Sequence, residues 1–382
     1  MLVLAYNLLM RSVIGSMYRR ILKPILFLFD PESVHTAFIK MGELLGSFPL
    51  SQSLINSTFT FRHPSLLQKI NGITFENPVG LSAGFDKDAH TVNILPDVGF
   101  GFAQIGSITA LPYEGNPKPR LYRLPLSQGI VVYFGLKNIG VKKIIEKFKQ
   151  NYVSPRIPIS ISVAKTNCDA TANESAGMED YIETLTQLRN QNVGDIYTIN
   201  ISCPNTFGGE PFTTPEKLER LLLKVDELKI TKPIWIKMPI SISADEFDSL
   251  TKVATRHNVQ GLVIGNLQKD QTDKSIIEPI PSTMKGGVSG KPTWELSNQH
   301  ISRTYKKYGN TFIIIGVGGI FSAEDAYEKI KRGATLVQLI TGMIFMGPQL
   351  IGEINEGLYK LLQKEGYSNI SQAVGAHHKT NS

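Results

Sequence analysis

From residue 78 onward, short apolar runs alternate with amphipathic stretches. The runs are "PVGLSAG" (78–84), "FAQIGSIT" (102–109), "IPISISVAK" (157–165) and "IYTINIS" (196–202), then "PIWIKMP" (233–239), "GLVIGN" (261–266), "FIIIGVGGI" (312–320) and "LVQLITGMI" (336–344). Between most of them lie segments with apolar residues at helical spacing, such as "TPEKLERLLLKVDELK" and "SADEFDSLTKVATRHN". Near-continuous apolar strands separated by helices predict a parallel sheet covered on both faces. Eight strands match a closed (β/α)8 TIM barrel. A doubly wound open sheet is the competing architecture, but it would place a glycine-rich turn after its first strand, and here such turns follow the last two.

Ahead of this pattern, "FDPESVH" reads as a helix break and restart: Asp30 caps, Pro31 takes the first helical position, and an apolar period runs to Gly46. Residues 1–47 are therefore expected as a small α-helical appendage, 48–68 as a linker, 69–366 as the barrel and 367–382 as a polar tail. The first thirty residues are apolar but interrupted by Arg11, Arg19, Arg20 and Lys23. No uninterrupted run of about 18 apolar residues is left to span a bilayer. No basic region precedes the apolar run, as a secretory signal requires. Leu, Ile and Phe on one side with Arg and Lys on the other fit a helix lying in a membrane surface. The alternative is a helix packed on its own domain with its cations in water.

Composition narrows the chemistry. With 42% hydrophobic residues in 382, the chain can bury a large core, and the barrel alone can fill most of that length as one unit. Two cysteines, Cys168 and Cys203, can supply neither a disulfide framework nor a thiolate metal site, so no metal is expected. The net charge of +7 favours anionic surfaces or substrates, but no basic stripe interleaved with aromatics appears and nucleic acid is not expected as a partner.

Barrel active sites lie at the carboxyl ends of the strands. There "GVGGI" and "ITG" supply Gly318, Gly319, Thr341 and Gly342. Glycines admit an anion close to backbone N–H groups, which favours a phosphate-bearing ligand over mere ease of turning. Lys237 sits between Ile236 and Met238 in an apolar strand, where an unpaired ammonium is costly. It is expected to face the mouth and an electron-rich group, such as the edge of a flavin. Lys87 in "GFDKD" has an ion pair with Asp86 as its alternative role. Strand four ends in "NISCPN", where Asn200, Cys203 and Asn205 crowd together. Asparagines suit a ring with alternating amide N–H and C=O groups, and a thiolate can remove a proton near neutral pH. A lone cysteine is more often a small buried hydrophobe, but its place at a strand's carboxyl end between asparagines argues for chemistry. "PNTFGGEPFTTP" has the composition of a mobile lid, with Gly208 and Gly209 as hinges.

Together "NPVGLSAGFDKD", "GNPKPRLYRL", "NISCPNT", "GGVSGKP", "IIGVGGI" and "LVQLITGMIFMGP", spread over residues 70–350, resemble the dihydroorotate dehydrogenases, flavin enzymes of pyrimidine biosynthesis. The "FDPESVH" appendage resembles the class 2 enzymes, which sit on the membrane surface and pass electrons to a quinone. The resemblance implies an FMN site at Ala83, Gly84, Lys87, Ser107 and Asn200, continued by Lys237, Gly290, Gly319, Thr341 and Gly342. It implies a dihydroorotate site at Lys87, Asn200, Asn205 and Asn266, with Cys203 as catalytic base taking the C5 proton while hydride leaves C6. Quinone would enter between the two amino-terminal helices, and the protein would be peripheral on the cytoplasmic face of the cell membrane.

Several positions depart from the family pattern. Class 2 members usually carry serine as the base, and cysteine is the habit of the soluble class 1 enzymes. Val132 stands where the family holds substrate with an asparagine, and Asn138 compensates only if its loop is rearranged. Ser162 replaces a second asparagine near the flavin. Gly265 and Leu267 replace threonines around Asn266, and Ile340 replaces a polar or aromatic residue beside the phosphate. These substitutions leave open an FMN-dependent dihydropyrimidine or enoate oxidoreductase, or a soluble acceptor such as fumarate. A phosphate-binding barrel without redox chemistry is a third reading.

Overall fold

In the computed structural model, which describes residues 2–150, 155–207, 209 and 212–379, the eight predicted runs form a closed parallel barrel. Strands one to four are Val79–Leu81, Phe102–Ile108, Ile159–Val163 and Ile196–Asn200; strands five to eight are Ile234–Met238, Gly261–Ile264, Ile313–Val317 and Leu336–Leu339. They pair in sequence order, and strand eight closes on strand one with Val337 opposite Val79. The TIM barrel expected from the pattern is the observed fold.

The barrel interior is layered by alternate residues along each strand. At the amino end, Phe102 and Trp235 meet edge to face, with ring centroids 6.4 Å apart, and Phe75 of the hairpin Gln68–Ile70/Ile73–Phe75 plugs the opening beneath them. These rings fit because Gly80 is small: a Cβ there would fall 2.3 Å from the Phe102 ring. Two residues further along the strands, Gln104 donates to Ser160 Oγ at 3.2 Å and Thr198 Oγ1 at 2.7 Å. The next layer, at the mouth, holds Ser162, Asn200 and Lys237, all buried. Ser107 joins it through a break in register between strands two and three, lying between the paired residues Ile105 and Ile108. The interior thus runs from apolar at the bottom to polar at the top.

Three features did not follow from the periodicity. Leu121–Leu124, Gly129–Val132 and Gly287–Gly290 form a three-stranded antiparallel sheet apart from the barrel. Residues 49–59, expected within a linker, form a helix, Pro49–Phe59. Its polar sequence hides the helical period, and Pro49 at the first helical position is the signal that was available. The final stretch, expected as a polar tail, folds back as Ile370–Ala373 and Ala376–Lys379, burying Ile370, Ala373 and Ala376.

The appendage begins with helix Leu2–Met17, continues through a π-helical turn, Tyr18–Leu22, and ends in Lys23–Phe27. Helix Pro31–Gly46 follows with the boundaries its cap predicts, Asp30 Oδ2 accepting from Ser33 N at 2.7 Å. Anchors to the barrel are specific. Buried Arg11 pairs with Glu356 of helix Leu350–Glu365 and donates to Thr60 O at 3.1 Å. Tyr18 donates to Ile344 O at 2.6 Å, Arg120 pairs with Glu32 at 3.1 Å, and the His35 ring bonds Phe85 O at 2.9 Å. The outward face is apolar. Among the described residues, twelve of the nineteen exposed large apolar side chains lie between Val13 and Leu54, including Leu28 at 84%, Leu50 at 83% and Leu54 at 68%. No helix among the described residues is long and apolar enough to cross a membrane.

Candidate active site

All thirteen residues singled out for cofactor, substrate or catalysis line a single cavity of about 290 Å³ at the carboxyl ends of the strands. Strand one brings Ala83, Gly84 and Lys87; strand two Ser107; strand four Asn200, Cys203 and Asn205; strand five Lys237; strand six Asn266. The last two strands bring Gly319, Thr341 and Gly342, and the outlying sheet adds Gly290.

The asparagines are held rather than loose. Asn200 donates to Ser107 Oγ at 2.8 Å, and Ser107 in turn shares a 2.7 Å bond with Ser162 Oγ. Ser162 itself is absent from the cavity wall and acts through Ser107. Asn266 donates to Ser202 O at 2.6 Å and Ser202 Oγ at 2.8 Å. Asn205 donates to Val132 O at 2.9 Å. Asn138 does not compensate for Val132: its amide donates to Thr109 Oγ1 and Leu136 O, and its carbonyl accepts from Gly140 N and Thr109 N. Val132 faces the cavity with an apolar side chain in that place.

Both lysines are shifted by their surroundings. Burial pushes Lys237 down to about 8, partly opposed by the Cys203 side chain across the strand boundary. Lys87 is also pushed down to about 8, first by burial and then by Lys137, while Asp88 and Asp86 pull it back up. An ion pair with Asp86 is not what holds Lys87. The Asp86 carboxylate accepts from His90 N, Thr91 N and Thr91 Oγ1, while the Lys87 ammonium lies 3.8 Å from the centroid of Phe134. An ammonium over a ring at a cavity wall is placed to meet an anion.

At the end of strand seven, Gly318 and Gly319 have φ of 106° and 72°, left-handed backbone that glycine adopts without a Cβ clash. A Cβ at Gly318 would fall 2.4 Å from Thr293 Oγ1. Ser322, capping helix Ala323–Lys331, directs a helix amino terminus toward the same region. The glycine turn and the buried Lys237 line the same cavity, a donor set that suits a phosphate-bearing flavin such as FMN.

The cavity extends beyond the barrel. Its far wall is made by Tyr18, Leu26, Phe27, Val34 and His35 of the appendage, with Arg123 from the outlying sheet. Arg123 donates to Phe29 O at 2.8 Å and lies 4.5 Å from the Phe27 ring centroid. Burial and the nearby Lys87 push His35 down to about 3, leaving it neutral. These groups were missed from the sequence, although "RLYRL" and "DPESVH" carry three of them, Arg123, Val34 and His35. Buried Lys165 donates to Phe207 O at 2.9 Å, and Asn116 donates to Asn205 O at 2.9 Å. Together they hold the start of the lid segment. Gly209 has φ 73°, whereas its expected companion hinge, Gly208, lies outside the described residues.

Comparison with known proteins agrees with this geometry. The family model described as "Dihydroorotate dehydrogenase" matches residues 65–362. A curated "Dihydroorotate dehydrogenase (quinone)" of Crocosphaera subtropica is 38% identical, covering 91% of this chain and 94% of the relative. One of the same description from a Sulfurovum species is also 38% identical, over 94% of this chain and 98% of the relative. The ligand-free DHODH from Eimeria tenella superposes with a TM-score of 0.80 at 25% identity, covering 91% of this chain and 99% of that one. The chain belongs to the dihydroorotate dehydrogenase family.

Proposed function

We propose that this protein oxidises dihydroorotate to orotate in pyrimidine biosynthesis, with FMN as hydride acceptor and a quinone as final electron acceptor. The observation that carries the reading is the continuous cavity, which joins the strand-end residues to a wall made by the amino-terminal helices. FMN bound there would take the hydride from C6 of the substrate and return the electrons to the quinone.

The chain's own residues supply the remainder. Gly290, Gly318, Gly319, Thr341 and Gly342 would hold the phosphate, and Lys237 would face the electron-rich edge of the ring. Lys87 would take the substrate carboxylate, and Asn200, Asn205 and Asn266 would orient the ring amides. Cys203, as thiolate, would accept the C5 proton at Sγ. Holding each asparagine by a second hydrogen bond fixes the reacting carbon against both the thiol and the cofactor.

Residues 1–47 would form the quinone entrance and rest on a membrane surface, the cytoplasmic face of the cell membrane in this reading. Helix Pro49–Phe59, carrying exposed Leu50 and Leu54, extends the same apolar face. The wall of Leu26, Phe27 and Val34 suits an apolar isoprenoid, and Arg123 and His35 suit the quinone head.

Anaerobic mixing with dihydroorotate should bleach the flavin absorbance, and a short-chain quinone should restore it. Protein purified without FMN and unable to bind it would overturn the reading. One observation supports a second reading: Val132 presents an apolar surface while Asn138 is turned away. That arrangement would suit a related dihydropyrimidine or enoate substrate, or an enzyme using fumarate, and comparing these compounds in the same assay decides between them.

A further inference from the structure

Lys329 lies near the end of helix Ala323–Lys331, the helix that follows the glycine turn of strand seven. It is 0% exposed and does not line the cavity, so its task is not contact with a ligand. Its side chain crosses the outer face of strand seven at Gly316, where a Cβ would fall 3.2 Å from Lys329 Cδ. The ammonium then meets helix Trp294–Tyr308. It lies 4.7 Å from the Trp294 ring centroid and donates to Ser297 Oγ at 3.0 Å and Asn298 Oδ1 at 2.9 Å. Both acceptors are neutral, because Asp325 and Glu328 of its own helix pair with Lys291 at 2.8 Å and Arg332 at 2.7 Å. Burying an ammonium among neutral oxygens is costly, a cost that packing alone would not require.

An ammonium donates and cannot accept, so Ser297 accepts from Lys329. The single hydroxyl hydrogen of Ser297 is thereby turned to Val317 O, with Ile264 O at 3.3 Å as its second acceptor. These carbonyls end strands seven and six, and each precedes a glycine that lines the cavity, Gly318 and Gly265. A trans peptide is planar, with its C=O and N–H pointing in opposite directions. Holding Val317 O on Ser297 therefore turns the Gly318 N–H away from Ser297. At Gly318 φ is 106° and a Cβ would fall 2.4 Å from Thr293 Oγ1, so the turn has no side chain of its own to steady it. The hydroxyl and the ammonium behind the strand do so instead.

We propose that Lys329 is a positioning residue for the flavin phosphate: acting through Ser297, it sets the direction of the Gly318 N–H from behind strand seven. This deepens the FMN reading above and rests on it, but concerns the phosphate end alone.

The test compares FMN with riboflavin, which has the same ring and no phosphate. Full-length protein is loaded with each, and release is followed as recovery of flavin fluorescence on dilution. Lys329→Met should release FMN about tenfold faster than wild type, and riboflavin within about twofold of it. Ser297→Ala should do the same, and the double variant should be no faster than the quicker single one, since both act along one route. Equal acceleration of the two flavins, as general loosening of the barrel would give, would overturn the proposal. An unchanged FMN rate, or single effects that add in the double variant, would do so too. If Lys329→Met does not fold, Ser297→Ala, which removes only a hydroxyl, carries the comparison. Failure of the FMN reading reads out separately, as wild-type protein that binds neither flavin.

Discussion

The side-chain amide of Asn205 donates to the backbone carbonyl of Val132 at 2.9 Å, so one cavity-lining residue is oriented by the main chain of another. Changing the side chain at 132 leaves this bond in place. Val132→Asn would add an amide to a wall that now offers methyl groups. Orotate should then bind more tightly by about 1–2 kcal/mol, roughly five- to thirtyfold. Titration of the flavin spectrum with orotate checks this, and unchanged affinity would show that residue 132 does not touch the ligand.

Removing the thiol should separate binding from chemistry. Cys203→Ala should keep FMN and orotate affinity while slowing flavin reduction by about 10²–10⁴-fold. Cys203→Ser should retain part of the rate and need higher pH, because a hydroxyl is a weaker acid than a thiol. Stopped-flow absorbance measures both.

Lys87 gives the pH dependence a sign. Its folded value of about 8 lies below that of the unfolded chain, and a bound carboxylate favours the ammonium. Orotate affinity should be flat below pH 8 and fall by about tenfold per unit above it, with a proton taken up on binding. Calorimetry in buffers of different ionisation enthalpy detects the proton, and Lys87→Met should abolish it. Between pH 8 and about 10.4 the unfolded chain binds more protons at this site, so ligand-free stability gains a contribution as pH rises.

Narrowing the outer end of the cavity should affect one half-reaction only. Leu26 and Val34 line it far from Cys203 along the chain. Leu26→Trp or Val34→Trp should slow reoxidation by quinone about tenfold or more and leave reduction by dihydroorotate within about twofold. Equal slowing of both would mean that quinone enters elsewhere.

The exposed apolar face invites a vesicle assay. Leu28→Glu, Leu50→Glu and Leu54→Glu together remove three of its most exposed side chains. Co-sedimentation with lipid vesicles should fall about tenfold or more, with reduction by dihydroorotate intact. Undiminished sedimentation would remove the membrane role from this surface.

The barrel was legible because its strands are apolar on both faces and the helices between them keep a 3.6-residue period. The mouth was legible where a residue type violated its surroundings, as Lys237 does within "IWIKM". Lys165 offered the same signal at the end of "ISVAK", but there the mismatch falls at the strand's edge, where a lysine commonly reaches solvent. Helix Pro49–Phe59 escaped because "SQSLINST" lacks apolar spacing; its outer face is not covered by protein, so burial imposed no pattern. The partner of Asn205 was beyond sequence reasoning altogether, since a main-chain acceptor leaves no trace in residue identity.

Arg11 and Glu356, joined in a buried ion pair, are 345 residues apart in the chain. During synthesis at roughly 5–20 residues per second, the first helix emerges tens of seconds before its partner exists. The same helix also packs on Pro49–Phe59, and Arg11 donates to Thr60 O, so part of its contact surface is made early and the carboxylate of Glu356 arrives late. Until then the buried guanidinium of Arg11 lacks its carboxylate, and a chain cut short of residue 356 would carry all eight barrel strands with that charge unpaired.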